Sequence, residues 1–129
     1  MPINVFSGVY IESNRDRRLE LETCLYKNYK NPNINFIVLE SQERLKFNDF
    51  FDVIRIYSGK DDINIICNSD IYFDETILLT QQILENQVYA LNRWALHPNG
   101  DRIHYNMLGS SDAWVFRGVP ENINGDFYL

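Results

Sequence analysis

The residues of this chain that are best suited to chemistry lie where a polar segment follows an apolar run. Asn68-Ser69-Asp70 comes directly after Ile63–Cys67, and a second acid, Asp74, follows a short loop later. A β-branched run this apolar predicts a strand buried on both faces, which is typical of parallel sheets. Because ligands bind at the carboxyl ends of such strands, we expect Asp70 at a ligand site. A carboxylate there is suited to a divalent cation that carries a phosphate-rich ligand.

Both acids also have a structural interpretation. Asp70 could instead cap backbone amides in a turn, and Asp74 is better placed to cap a following helix than to bind a metal. We predict metal binding for Asp70, with Asn68 and the backbone of Ser69 helping to hold a nucleotide. For Asp74 we predict helix capping.

Three arginines open the first predicted helix, just after the first predicted strand. Phosphates favour helix N-termini, and the guanidinium fork can hold a diphosphate or a carboxylate. For Arg15 and Arg17 we expect a solvated face. Arg18 differs because Glu22, one turn later, could pair with it, so ligand binding and a purely structural pair are equal alternatives. Arg93, at a later strand end, could likewise neutralise a diphosphate.

The end of the first predicted strand is a further candidate region. Ser7 and Tyr10 lie where doubly wound folds place the nucleotide, and Gly8 allows close approach of the backbone. Tyr10 could stack on a base, or it could simply pack at the surface. His97 and His104 are isolated in a polar hairpin, and we expect surface roles for both.

Strand and helix patterns alternate along the first two thirds of the chain. Strands are predicted at Ile3–Val9, Asn35–Leu39 and Ile63–Cys67. Helices are predicted from Ser13 or Asn14 to about Tyr29, over the stripe Phe47–Ile54 and from Asp74 to about Leu84. Shorter strands are predicted at Val88–Trp94, Ile103–Tyr105 and Ala113–Phe116. This order predicts a parallel sheet covered by helices, followed by antiparallel or mixed strands.

Composition narrows the class of protein. A chain of 129 residues with a net charge of −6 predicts one domain and argues against nucleic acid or an anionic membrane as the main partner. No apolar segment approaches the ~18 residues of a membrane span, and no signal-peptide pattern opens the chain, so a cytoplasmic location is expected. Cys24 and Cys67 are predicted to be buried, reduced thiols. The aromatic content is compatible with a homodimer.

Four pieces of the chain, taken in order, resemble the GT-A nucleotide-sugar glycosyltransferases. The segment Asn68–Asp74 is similar to their DxD-type metal motif, with Asn68 in place of the first acid. The other pieces are Arg18 with Glu22 and Cys24-Leu25, then Ala90–Trp94, then Ser110-Ser111-Asp112-Ala113-Trp114. The order of the pieces carries the resemblance, because no single piece is specific.

The resemblance implies an α/β, Rossmann-like GT-A fold with a mainly parallel sheet flanked by helices and a mixed or antiparallel C-terminal part. It implies a nucleotide-diphospho-sugar donor, expected to be a UDP-sugar, and Mn²⁺ or Mg²⁺ held by Asp70. Asn68 would lie near the ribose. The donor-binding residues on this interpretation are Ser7, Tyr10, Arg18, Asn68, Ser69, Asp70 and Arg93. Asp112 stands where a catalytic carboxylate takes the proton of an acceptor hydroxyl. A solvated or capping role for Asp112 is an equal alternative.

Two other functions compete with sugar transfer. Members of this family usually continue well past this length, which favours donor binding over completed transfer to an unknown acceptor. The first alternative is therefore a non-catalytic domain that holds a nucleotide or sugar. The second, a nucleotidyl- or phosphotransferase, is less favoured because Ser7-Gly8, and not an Asp pair, follows the first strand, and because no Gly-rich lysine loop is present.

Overall fold

Strands rich in β-branched residues form the centre of the protein. The computed structural model describes residues 2–10, 12–96, 102–104, 111–126 and 128–129. Its strands are β1 (Ile3–Val9), β2 (Asn35–Glu40), β3 (Ile63–Cys67), β4 (Val88–Leu91), β5 (Trp94–Leu96), β6 (Arg102–His104) and β7 (Ala113–Arg117). Its helices are α1 (Arg15–Lys30), α2 (Phe47–Tyr57) and a 3₁₀ helix (Glu75–Gln82). The predicted alternation of strands and helices is confirmed.

Five of the strands form one mixed sheet in the order β2-β1-β3-β7-β4. β1 pairs in parallel with β2 and with β3. β7 lies antiparallel to both β3 and β4. β4 therefore runs in the same direction as the first three strands, and β7 alone among these five is reversed. The α/β class and the antiparallel C-terminal part agree with the sequence, while the pairing is evenly divided between parallel and antiparallel.

Helices cover both faces of this sheet, which explains why β3 is apolar at every position except Asn64. On one face Phe6 and Ile66 pack with Phe50 and Ile54 of α2. On the other face Val5 and Ile65 belong to a cluster that the 3₁₀ helix joins through Ile77. Since neighbouring residues of a strand point to opposite faces, a strand covered on both sides carries apolar residues on both faces. Asn64 is the exception: it is fully buried and donates from Nδ2 to the carbonyl of Gly118 at 2.7 Å.

Most predicted helix boundaries agree with local capping chemistry. Asn14 caps α1 by accepting a hydrogen bond from the backbone N–H of Arg17. Asp74 caps the 3₁₀ helix by accepting from the backbone N–H of Thr76, as predicted. That third helix is shorter than predicted and has 3₁₀ geometry. Capping residues therefore located the starts of these helices better than periodicity located their ends.

The strand predicted over Val88–Trp94 was too long. β4 ends at Leu91, and Trp94 begins the separate two-stranded sheet of β5 and β6. Leu91 is opposite Ala113, the first residue of β7, so β4 has no ladder partner on that strand beyond this point. Of the predicted strand Ile103–Tyr105, Ile103 and His104 belong to β6, and Tyr105 lies outside the described residues.

The length and composition of the helices were compared with those of a membrane span. Within the described ranges, no helix combines the length and the apolar character that a membrane span requires. The 16-residue α1 carries charged residues along much of its length.

Both cysteines are buried, as the sequence predicts. Cys67 is the last residue of β3, and Cys24 lies on the buried side of α1. Burial disfavours the thiolate, and it raises the pKa of the Cys24 thiol to about 11 and that of Cys67 to about 12. Both groups are therefore protonated at neutral pH.

We expect native protein at pH 8 to react with a disulfide reagent such as DTNB at least about tenfold more slowly than unfolded protein, because the thiolate is the reactive form and both sulfurs are enclosed. Absorbance should report two thiols per chain promptly in denaturant. Raising the pH from 8 to 10 should accelerate the native reaction by the larger factor, because the thiolate fraction of a thiol with a pKa of about 11 still rises steeply there, while that of an unfolded thiol approaches its limit. Prompt labelling of either thiol in the native protein would contradict the burial.

Candidate functional site

The strand directions bring several chain segments to one edge of the sheet. The carboxyl ends of β1, β2, β3 and β4 meet there, together with the start of the reversed β7. Backbone hydrogen bonds join these ends: the N–H of Asp112 donates to the carbonyl of Leu91 at 2.9 Å, and the N–H of Asn68 donates to the carbonyl of Asp112 at 3.0 Å. The predicted residues at positions 68, 93 and 112 are thus neighbours, although they are far apart in sequence.

Asp112 is held by two polar partners at this edge. Arg93 Nη1 lies 2.8 Å from Asp112 Oδ1, and Asn68 Nδ2 donates to the same oxygen at 3.4 Å. Asp112 is 5% exposed, whereas the side chain of Arg93 is about one third exposed. A buried carboxylate needs such compensation, because an unpaired charge in this position is costly. Asp112 therefore anchors the start of β7 as well as presenting a carboxylate at the edge.

Asp70 is paired with an arginine from the first turn of α1, and that arginine is Arg17. Arg17 Nη2 lies 3.1 Å from Asp70 Oδ2, while Nη1 lies 3.1 Å from Glu20 Oε2. The hydrogen bond that Arg17 donates to Asp70, and after it the one that it donates to Glu20, raises the pKa of Arg17. Arg18, the arginine that the resemblance favoured, is exposed on the same turn.

The sequence contained a signal for Arg17 that its assignment to a solvated face overlooked. Residues 17, 21, 24 and 28 follow one another at helical spacing, and Leu21, Cys24 and Asn28 form the buried side of α1. An arginine at position 17 continues this side at the edge of the sheet. Arg18 is rotated by about 100° from it, as adjacent helical residues are.

The loop after Asp70 is fixed by amide side chains from the other end of α1. Asn28, which is 2% exposed, donates from Nδ2 to the carbonyl of Ile71 at 2.8 Å and accepts at Oδ1 from the N–H of Phe73 at 3.0 Å. Asn31 Nδ2 donates to the carbonyl of Phe73 at 3.0 Å. Neither asparagine was singled out from the sequence. Together they hold the segment that carries Asp70 against α1.

Ser7 and Gly8 have structural roles in this arrangement. The Ser7 hydroxyl is buried and donates to the carbonyl of Cys67 at 3.2 Å, which links the ends of β1 and β3. A Cβ at Gly8 would lie 2.6 Å from Leu45 Cδ1, so the close approach predicted for this glycine is made by a side chain of the protein.

A cleft of about 720 Å³ opens at the edge of the sheet beside Asp70. Of the predicted donor-binding residues, four line it: Tyr10, Asn68, Ser69 and Asp70. Arg17 also lines it, as do Ser41–Leu45 after β2, and Phe50 and Leu129. The described residues that line the cleft do not include Asp112, Arg93 or Arg18. This volume falls within the ~300–1,000 Å³ typical of small-molecule and cofactor sites.

Asn68 belongs both to the lining of the cleft at Asp70 and to the hydrogen-bonded group around Asp112. It lines the cleft with Asp70, and its amide also donates to Asp112. Tyr10 also lines the cleft, and it is 48% exposed. The edge therefore consists of an open cleft at Asp70 and a buried ion pair at Asp112, joined through one amide.

The donor set at Asp70 is compatible with a divalent cation that also binds a phosphate. Within the described part of the chain, no group of three or more His, Cys, Asp or Glu side chains comes together. Mg²⁺ commonly takes only one or two carboxylates and completes its shell with phosphate oxygens and water. Arg17 contacts Asp70 through Oδ2, and the side chain of Asp70 is 30% exposed at the cleft. Asp70 can thus supply one ligand, and the remaining ligands would come from diphosphate and water.

Two predicted positions, His97 and Ser110, lie outside the described residues, and nothing is assigned to the side chain of His104. Comparison of the chain with protein-family models, with curated proteins and with solved structures finds no match in any of the three.

Replacing Asn28 with Ala should lower the free energy of unfolding by about 2–4 kcal/mol, because a part-buried carbonyl and a part-buried N–H of the 71–73 loop would lose their partner. Urea unfolding followed by circular dichroism measures this. Glu22→Ala, on the exposed side of the same helix, is the control and should remain within about 0.5 kcal/mol of wild type. A similar small effect for Asn28→Ala would show that the loop does not depend on this amide.

Proposed function

We propose that this chain is a GT-A-like glycosyltransferase domain that binds a nucleotide-diphospho-sugar, expected to be a UDP-sugar, in the cleft beside Asp70. The observation that carries this proposal is the position of Asp70: it follows a buried parallel strand and lines an open cleft at the carboxyl edge of the sheet. The mixed sheet, with three parallel strands and then a reversed one, is compatible with the fold that the sequence resemblance implies.

The lining residues suggest how a donor would be arranged. Tyr10 lines the cleft, is exposed and is suited to stack on the base. Asn68 and Ser69 line the same cleft, and the Asn68 side chain and the Ser69 backbone would offer hydrogen-bond donors to ribose and phosphate oxygens. Arg17 supplies the cation nearest to Asp70 among the described contacts. Arg18, Arg93 and Ser7 remain predictions as donor-binding residues.

Asp70 would hold the Mn²⁺ or Mg²⁺ that this donor class usually requires. Such a cation, when bound, neutralises negative charge on the diphosphate leaving group. The chain's own contribution is to position the carboxylate: Asn28 and Asn31 hold the loop that carries it, and Arg17 pairs with it before a ligand binds.

Asp112 would act as the base that accepts a proton from the acceptor hydroxyl or from water. It lies next to the cleft through Asn68, and Arg93 keeps it from being an uncompensated charge. The same contacts favour a second candidate function, a non-catalytic domain that binds the nucleotide sugar without transferring it. A carboxylate that is 5% exposed and already paired can serve purely as a structural anchor.

Isothermal titration with UDP, GDP and their sugars, each with and without Mn²⁺, tests donor binding. Asp70→Asn should weaken Mn²⁺-dependent binding about tenfold or more, because it removes the anionic ligand while preserving side-chain size. Asp74→Asn is the matched control, since asparagine caps a helix about as well as aspartate. The proposal fails if wild type binds no nucleotide in either condition. The assignment of Asp70 fails if Asp70→Asn retains full Mn²⁺-dependent affinity.

Hydrolysis of the bound donor distinguishes the two candidate functions. If Asp112 is the base, Asp112→Asn should lower the hydrolysis rate about 10²- to 10⁴-fold and leave donor affinity nearly unchanged. Thermal unfolding of the variant is measured in parallel, because the ion pair between Arg93 and Asp112 is lost. Equal hydrolysis rates in a folded variant and wild type, or no hydrolysis in wild type that binds donor, would favour the binding domain.

A further inference from the structure

The contact between Arg17 and Asp70 presents a chemical conflict with the proposed function. A carboxylate that takes a divalent cation cannot keep an arginine on the same face without repulsion between the two cations. Yet Arg17 Nη2 is 3.1 Å from Asp70 Oδ2, and both residues line the cleft. Movement of the guanidinium away from Asp70 would relieve this repulsion when the metal binds.

Arg17 has the freedom to make that rearrangement. Its side chain is 39% exposed, and its second nitrogen is held by Glu20, which is on the same helix. The backbone of residue 17 is fixed by the Asn14 cap. The guanidinium can therefore leave Asp70 and turn into the cleft while its Cα and its contact with Glu20 stay near their present positions.

The local charge balance indicates what would draw it away. Arg17 carries one positive charge between two carboxylates, so the group of Arg17, Asp70 and Glu20 is negative by one unit. A diphosphate that binds alone is repelled by the net negative charge of this group. A divalent cation that binds alone must compete with Arg17 for the carboxylate of Asp70. When both arrive together, the cation takes the carboxylate and the diphosphate takes the arginine, which suits the guanidinium fork.

We infer that Arg17 is a positioning residue that exchanges Asp70 for the diphosphate, so that the cation and the nucleotide each bind better in the presence of the other. This inference rests on the proposed function, because it assumes that the cleft takes a nucleoside diphosphate. The exchange makes Arg17 a source of positive coupling between two ligands, and that coupling is necessarily reciprocal.

Binding of each ligand alone and of the two together tests the exchange. Mn²⁺ binding is followed by the loss of the free-ion electron paramagnetic resonance signal, and UDP binding by calorimetry, for wild type, Arg17→Gln, Arg17→Lys and Arg15→Gln. Arg17→Gln should bind Mn²⁺ alone up to about fivefold more tightly, because the competing cation is gone. It should bind UDP alone about tenfold more weakly, because a charge-assisted hydrogen bond to phosphate is lost. The factor by which each ligand improves the other should fall.

The two controls separate this exchange from simpler effects. Arg17→Lys keeps the charge without the fork, so Mn²⁺ alone should bind as in wild type while UDP binds with intermediate affinity. Arg15→Gln removes the same charge from an exposed site on the same turn, and it should change neither affinity more than about twofold.

The outcomes are distinguishable from failure of the proposed function itself. If wild type binds no UDP even with Mn²⁺, the proposed function fails and the exchange fails with it. If wild type binds both ligands but Arg17→Gln weakens Mn²⁺ and UDP by the same factor, Arg17 is only structural and the exchange is wrong. The exchange is also overturned if Arg15→Gln reproduces the changes of Arg17→Gln.

Discussion

The reversed strand β7 is the constraint on which the site depends. It is inserted between β3 and β4, and its first residue, Ala113, is opposite both Cys67 and Leu91. The residues just beyond those partners must therefore meet the residue just before Ala113. That geometry brings Asn68, Arg93 and Asp112 together and produces their hydrogen bonds. If β4 paired directly with β3, the start of β7 would not lie between the ends of those two strands.

The position of Asp70 is set by α1, which contacts the Asp70 loop through Asn28 and the Asp70 side chain through Arg17. The free energies of these two contacts differ in size. The ion pair with Arg17 is partly exposed on both sides, and such pairs contribute only about 0–1 kcal/mol. Asn28 is buried and satisfies two backbone groups of the loop, whose loss would cost several times more. The amide therefore determines where the loop lies, and the ion pair determines only which way the carboxylate points. A weak contact at a ligand site is one that a ligand can replace.

Local sequence patterns predicted those features that depend on local physics. The bounds of β1 and β3 were predicted correctly because apolar, β-branched runs end abruptly, and Asn14 and Asp74 were recognised because capping needs only neighbouring backbone groups. Prediction of the partner of Asp70 requires knowledge of how α1 is rotated against the sheet. The sequence does not give this rotation, and Arg17, not the predicted Arg18, contacts Asp70. The pairing of Asp112 with Arg93 required the strand order, which no single segment encodes. The predicted strand to Trp94 failed for the same reason.

The two aspartates at this edge are in environments that suit different tasks. Asp70 is partly exposed, lines the cleft and has a partner that can leave, so it can exchange that partner for a ligand. Asp112 is buried between Arg93 and Asn68, so any proton it takes must arrive through a group that reaches the same small space. Asn68 contacts Asp112 and also lines the cleft, which makes it the route by which a bound donor would alter the surroundings of Asp112. A donor that engaged the Asn68 amide would compete for the hydrogen bond that now joins Asn68 to Asp112.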